Sequence, residues 1–338
     1  MTRAVAPDAS AAERIAREHF GMDGRAEPLH GELDVNFAIA GHVLKLYAPG
    51  IDPALLDLQD AALEHVAARD DDVAVPRLRR ARDGAARVEL EAAPAARVSP
   101  DAAHGSTRRH SSRRGAVARV LTWVPGTPWS ATGEHGPEAV ASLGRAVARV
   151  DGALASFAHP ALERALRWNM LDAAQLLPDA DATAAAVVER FAADVLPRLR
   201  ELPVQAIHND ANEHNVLVGD NGGVCGLIDF GDLCRAPRVC GLAVACAYAM
   251  TTLSVPEREV TQLVSGYHAV AALTPLELEL LPDLIRTRLA MSTAMAARQR
   301  REQPANDYLL ISQDAVAALL ERLGAAASAL ELPRLRSA

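Results

Sequence analysis

Lysine is nearly absent from this chain. Of 35 Lys and Arg residues, 34 are arginine, and the one lysine, Lys45, sits inside the apolar stretch VLKLY at 43–47. A composition that supplies positive charge as arginine everywhere else keeps a compact point charge at one strand position. Net positive charge is absent too. The balance is −8 at pH 7, which argues against broad binding to nucleic acid or to an anionic membrane. No apolar run reaches the length of a membrane span. The first 30 residues are charged throughout and lack a signal-peptide apolar region, so the expected location is the cytoplasm. Cysteine is sparse, at 225, 234, 240 and 246, with no C-x-x-C pair. That excludes a zinc ligand pattern and a secreted disulfide framework, and predicts buried or half-buried free thiols. No internal repeat is present.

What is there reads as two lobes, a size of 338 residues being long for one core. Ser10 to Glu13 has the capping-box spacing, and a helix is expected from there to Phe20, stopped by Gly21. LDVNFAIA (33–40), a Gly41-His42 turn and VLKLY predict a β-hairpin. Asp52-Pro53 starts a helix running to about Arg69. Residues 73–79, 86–90 and 117–124 read as further strands. The stretch 102–115, AAHGSTRRHSSRRG, is basic with no apolar period, and is read as a flexible surface loop. After Pro125-Gly126-Thr127-Pro128 the chain is mostly helical, with helices expected near 137–157, 181–200, 238–252, 256–271, 274–300 and 312–325. A β island at 204–208, 215–218 and 224–230 interrupts them. The expected class is α+β: a small β-rich N-lobe over 1–124 with one long helix, and a larger helical C-lobe over 125–338.

The chemistry concentrates in that island, AIHNDANEHNVLVGDNGGVCGLIDFGD at 206–232. His208-x-Asp210 follows a strand, Asn215 comes five residues after Asp210, and Asp229 ends the next strand before Phe230-Gly231. Each alone is an ordinary turn or strand-end residue. Together they match what phosphoryl transfer needs. One carboxylate accepts the proton of the attacking hydroxyl, and an amide oxygen with a second carboxylate holds Mg²⁺ on the phosphates. D-x-x-x-x-N followed by D-F-G is how protein-kinase-like folds place these groups. Asp210 is then the base, Asn215 and Asp229 the metal ligands, and His208 a structural support of the loop.

HNDANEHN and LIDFGD resemble the catalytic loop and metal segment of the aminoglycoside phosphotransferase and choline kinase family, small-molecule kinases with the protein-kinase fold. ELDVNF (32–37), VARVLTWVPGTPW (117–129) and NDYLLIS (306–312) resemble its hydroxylysine-kinase-like branch. The resemblance implies a bilobal protein-kinase-like fold and transfer of the γ-phosphate of ATP or GTP, with Mg²⁺, to a hydroxyl of a small amine or amino acid. It implies that Lys45 is the phosphate-binding strand lysine, paired with Glu64 on the next helix, with Asp57 and Asp60 as fallback partners. It makes Gly31 to Phe37 the phosphate-covering hairpin, with Asn36 a phosphate donor. Backbone groups of Trp123 and Val124 would meet the purine. Asp232, Glu213 and Trp168 are candidates for a cationic or zwitterionic substrate, with Asp172 and Tyr248 beside them. Arg235, Arg238 and Arg286 are open choices for a substrate carboxylate. Aminoglycoside, choline, ethanolamine or homoserine acceptors stay open. A silent nucleotide-binding regulatory module is disfavoured, because it would lack the base or a metal ligand and Asp210, Asn215, Asp229 and Lys45 are all present. One departure stands out: where the family often places an acidic brace at the start of the helix after the metal Asp, this chain has Gly241.

Overall fold

The computed structural model describes residues 8–29, 34–90, 115–302 and 313–324. Gly31 to Leu33 of the expected phosphate loop, nearly all of the basic loop and the NDYLLIS segment lie outside the described residues. The chain gathers into two compact units: Met1–Asp60 with Pro76–Trp123, and Ala61–Val75 with Val124–Ala338.

The first unit begins with helix α1 (Ala9–Phe20). Asp8 caps it, accepting the Ala11 amide at 2.8 Å, and Gly21 ends it with φ 64°. The capping box suggested by the spacing is not used. Glu13 instead accepts the Ala26 amide at 3.0 Å. Strands β1 (Glu27–Leu29), β2 (Asp34–Ile39) and β3 (His42–Tyr47) follow, then helix α2 (Pro53–Ala67), whose first half belongs here. Strands β4 (Leu78–Arg79), β5 (Val88–Leu90) and β6 (Ala116–Thr122) complete one antiparallel sheet, ordered β1-β2-β3-β6-β4 with β5 also on β6. The β2–β3 turn is Ala40-Gly41, one residue earlier than expected. Both residues have positive φ (47° and 72°), as a tight two-residue hairpin with right-handed strand twist requires. The resulting register sets Asn36 opposite Lys45, and Lys45 opposite Arg119.

Phe20, Met22, Phe37, Ile39, Leu44, Leu46 and Val120 fill the core between α1 and the sheet. On the sheet's other face Arg119 is buried. Its guanidinium donates to Asp60 at 2.7 Å, Gln59 at 2.8 Å and the Tyr47 hydroxyl at 2.8 Å, tying the first half of α2 to β3 and β6.

The second unit takes the rest of α2 and the segment to Val75. Ala74 is held there by β-type bonds, its amide to Cys225 at 2.9 Å and its carbonyl from the Leu227 amide at 3.0 Å. Then come β7 (Thr127–Pro128), α3 (Pro137–Leu154), α4 (Ala182–Arg190), α5 (Leu196–Leu199), β8 (Val204–Ile207), β9 (Val216–Val218), β10 (Val224–Leu227) and β11 (Cys234–Pro237). Helices α6 (Arg238–Met250), α7 (Pro256–Val270), α8 (Pro275–Glu302) and α9 (Gln313–Leu323) close it. The single helix expected over 181–200 is broken by a π-turn at Phe191–Val195. Pro197 has no amide to continue the α-helical ladder, and the wider turn absorbs the break.

α3 and α7 touch backbone to backbone. A Cβ on Gly144 would lie 1.9 Å from the Leu263 carbonyl oxygen, and one on Gly266 2.0 Å from that of Ala141. α6 is buried almost all round and carries Cys240 and Cys246. The four cysteines are free thiols, Cys225 half-buried and the other three buried, as the sequence predicts. Among the described residues no helix is long and apolar enough to cross a membrane.

Candidate active site

β8 delivers His208 into the interior. Its Nδ1 accepts the Asp210 amide at 3.2 Å, so the ring proton sits on Nε2. The ring meets Phe230 edge-on at 4.6 Å. Burial pushes its pKa down to about 4, so it is neutral at physiological pH and acts as a buried strut. Asn209 turns the chain with φ 64° and donates Nδ2 to the Trp168 carbonyl at 3.2 Å.

That turn presents Asp210. Its Oδ1 accepts from Asn212 Nδ2 at 2.9 Å, and its Oδ2 from Asn215 Nδ2 at 2.6 Å. Asn215 Nδ2 also reaches the Asp210 carbonyl at 3.0 Å, and Asn212 Oδ1 accepts the amides of His214 and Asn215. Two asparagines thus lock the loop and aim the carboxylate. Burial, then the charge of Asp232, pushes the Asp210 carboxyl well above the usual carboxylate range. The guanidinium of Arg288 opposes that shift.

The β9–β10 hairpin brings Asn215 and Asp229, the candidate metal ligands, alongside. Leu227 pairs with Val216, and the Ile228 amide donates to the Asn215 carbonyl at 2.9 Å, so Asn215 and Asp229 stand at adjacent strand ends. Asp229 has φ 64°, a conformation Asp tolerates better than most residues, and its Oδ1 accepts the Gly231 amide at 3.1 Å. Arg164 fixes the segment beyond, donating to the carbonyls of Gly231 at 2.8 Å and Leu233 at 2.7 Å. With Nδ2 of Asn215 spent on Asp210, its Oδ1 is left for a cation. An amide oxygen and a carboxylate are the hard donors Mg²⁺ takes, and such sites complete their shell with phosphate and water. Among the described residues no group of three His, Cys, Asp or Glu gathers to hold a metal.

Around this centre lie the proposed substrate residues. Glu213 is buried, with its carbonyl accepting the Ser130 amide at 2.8 Å. The indole of Trp168 is covered by the Arg288 guanidinium at 4.4 Å, and the same group lies 5.4 Å from the Tyr248 ring. An internal cation therefore already uses the aromatic faces that the sequence offers to a substrate ammonium. Arg238 and Arg286 are likewise engaged, with Glu277 at 2.8 Å and Asp283 at 3.0 Å. The place left by Gly241 is occupied by another carboxylate. The Asp151 oxygens of α3 lie 3.4 and 3.6 Å from where a Cβ on Gly241 would be, and Oδ2 accepts the Tyr267 hydroxyl at 2.8 Å. Burial raises the Asp151 pKa to about 7.

In the first unit, Lys45 Nζ lies 3.0 Å from Asp34 Oδ2, and Asn36 Nδ2 donates to Asp34 Oδ1 at 3.1 Å. Asp34 was not singled out from the sequence, although it sits two residues from Asn36 on the same face of the same strand. Glu64 is exposed on the half of α2 that belongs to the second unit. The fallback partners are committed elsewhere: Asp57 to Arg87, and Asp60 to Arg119 and Arg87. Arginine's planar fork draws them, since Arg119 projects from the same face of the sheet as Lys45. Trp123 is 45% exposed and its amide donates to the Gly41 carbonyl at 3.0 Å. Val124 packs against Gly226, where a Cβ would come within 2.7 Å of its side chain. Arg164, Asn212, Asp151 and Arg288 were also missed, since each acts through a contact distant in sequence or through a loop turn.

A family comparison decides what this arrangement belongs to. The model of the phosphotransferase enzyme family matches residues 27–278. The chain belongs to that family. Hydroxylysine kinase of Bos taurus is 27% identical over 217 residues, covering 58% of this chain and 57% of that protein. The Xenopus laevis hydroxylysine kinase is 29% identical over 219 residues, covering 58% of each. The chain thus spans somewhat under three fifths of the length of the curated relatives it matches. Among solved structures, a microcompartment-associated aminopropanol kinase shares the fold with a TM-score of 0.68 at 18% identity, over 94% of this chain and 97% of that one. The fold is the protein-kinase-like one.

Proposed function

We propose that the protein is a small-molecule kinase. It transfers the terminal phosphoryl group of ATP or GTP to a hydroxyl of a small amine or amino acid, hydroxylysine or an amino alcohol being the first acceptors to try. The observation that carries this reading is the Asp210 carboxylate, held at both oxygens by asparagine amides beside a second carboxylate and an amide oxygen suited to a divalent cation. The curated relatives named as hydroxylysine kinases favour a hydroxy-amino-acid acceptor. The fold neighbour named as an aminopropanol kinase keeps amino alcohols in view.

In this reading Asp210 takes the proton of the acceptor hydroxyl as its oxygen attacks the terminal phosphorus, and the bond to the leaving diphosphate oxygen breaks. Asn215 and Asp229 hold Mg²⁺, which when bound neutralises charge on the phosphates. Lys45 binds donor phosphates as a point charge, with Asp34 and Asn36 steadying its ammonium. Val124 meets the purine by its backbone, which does not by itself distinguish ATP from GTP. Asp232 and Glu213 supply negative charge toward the acceptor's ammonium. His208 keeps the loop in place from beneath.

The test is a coupled nucleotide-turnover assay across hydroxylysine, amino alcohols, choline, ethanolamine, homoserine and aminoglycosides, with ATP and with GTP. A hydroxylated amine or amino acid should be turned over with Mg²⁺, and Asp210→Ala should abolish that turnover. An Asp210→Ala variant at full rate with the best acceptor removes Asp210 from the role of base.

A further inference from the structure

Arg288 lies midway along α8, beyond the stretch matched to the family, and is 1% exposed. Burying a guanidinium is strongly unfavourable unless its charge is answered. Its Nη1 donates to the Trp168 carbonyl at 3.3 Å, and Nη2 lies 3.8 Å from Asp210 Oδ1. Trp168 stacks on it and Tyr248 flanks it. Its Nε is buried without a hydrogen-bond partner among the described residues. Among the described residues the carboxylate that answers it is that of Asp210.

Asp210 needs such a neighbour, because the carboxylates of Asp232 and Asp229 both act on it with like charge. The 3.8 Å separation is beyond hydrogen-bonding distance. Arg288 therefore steadies Oδ1 by charge without taking the lone pair that an acceptor hydroxyl needs. Arg288 is buried and points its Nη2 at Asp210, so the cation is directed inward, at the base, and not outward, at a substrate.

We propose that Arg288, clamped by Trp168 and Tyr248, is a positioning residue for phosphoryl transfer that fixes the orientation of the Asp210 carboxylate. This rests on the reading of Asp210 as the base. It adds a residue from α8 that acts on the catalytic loop through space, joined to it also through the Trp168 carbonyl, which accepts from both Asn209 and Arg288.

The test is steady-state kinetics of the full chain with ATP, Mg²⁺ and either 5-hydroxylysine or 1-amino-2-propanol, whichever turns over faster. The variants are Arg288→Met, Arg288→Lys, Asp210→Asn and the double Arg288→Met/Asp210→Asn. Loss of a transition-state contact lowers kcat and kcat/KM together, so Arg288→Met should cut kcat by about 30-fold with both KM values within about threefold. Arg288→Lys keeps the charge but not the planar stack, and should fall between, about 5-fold down. In the Asp210→Asn background, Arg288→Met should cost no more than about twofold further, because it acts through the carboxylate already removed. Multiplied losses in the double variant, or a rise confined to the acceptor KM, overturn the proposal. Arg288→Lys at wild-type kcat overturns it too, and carries the test if Arg288→Met does not fold. An inactive Asp210→Asn beside a fully active Arg288→Met sinks the role of Arg288 alone. A fully active Asp210→Asn sinks the base assignment and with it this one.

Discussion

Lys45 shows how much one residue can be constrained. Its ammonium is shared with Asp34, and in the proposed function it also serves donor phosphates. Arginine at this place would grip Asp34 with a two-pronged pair and hold its charge in a plane, so exchange onto a phosphate would suffer. Lys45→Arg is expected to weaken ATP binding by about tenfold or more, read by titration calorimetry. Asp151 carries a second residue-scale prediction. Its folded pKa of about 7 lies above the ordinary carboxylate value of 3.8. The folded state therefore holds a proton that the unfolded chain gives up between those values, and stability falls as pH rises from about 4 to about 7. Asp151→Asn should accordingly be more stable than wild type at pH 8, by about 2 kcal/mol, and equal to it near pH 4, by thermal melts across pH. Arg238 attracts the ionised form and Glu277 repels it, so both belong in the comparison. At this scale Asp210, Asn215 and Asp229 were singled out because their spacing is local, and Lys45 because it is the one lysine. Asp34 could have been read by counting the strand face, but Asp151 and Arg288 could not, being brought in by helices far along the chain.

At the scale of elements, the α3–α7 contact is set by two missing side chains. Gly144→Ala drives a methyl into the Leu263 carbonyl, and should cost about 3 kcal/mol in urea unfolding. Gly152→Ala on the same helix meets nothing within 4 Å, and should be neutral or gain up to about 1 kcal/mol. A pair of equal losses would mean that helix propensity, and not the close approach, governs both sites. Most helices were legible from apolar periodicity, and the β9–β10 hairpin from its short runs and Gly-rich loop. β11 was not, because CRAP with its terminal proline reads as a loop, and only pairing with β8 makes it a strand. The break before Pro197 was also missed, since a π-turn hides within helical periodicity.

For the whole molecule, the family and the protein-kinase-like class were legible because two sequence segments carry the chemistry at fixed spacing. The division into units was less so. Residues 61–75 join the second unit through backbone bonds of Ala74 that no side-chain pattern announces. A ligand that binds only the folded chain stabilises it by mass action, about 2.7 kcal/mol at 100 times its Kd. A non-hydrolysable ATP analogue with Mg²⁺ should therefore raise the melting temperature, and EDTA should reverse most of the gain. Asp229→Asn should keep the wild-type melt without ligand and lose the Mg²⁺-dependent part of the shift. If Asp229→Asn responds to Mg²⁺ and nucleotide as wild type does, Asp229 is not a metal ligand.

The Trp168 carbonyl gives this design an unusual genetic property. One oxygen accepts from Asn209 in the catalytic loop and from Arg288 on α8. Every amino acid supplies a backbone carbonyl, so no side-chain substitution at 168 can delete the joint. An alanine scan reads Trp168 through its ring alone and leaves this link unweighed. Only replacing the peptide bond after residue 168 with a weaker acceptor, by chemical synthesis or semisynthesis, would expose what that single oxygen contributes.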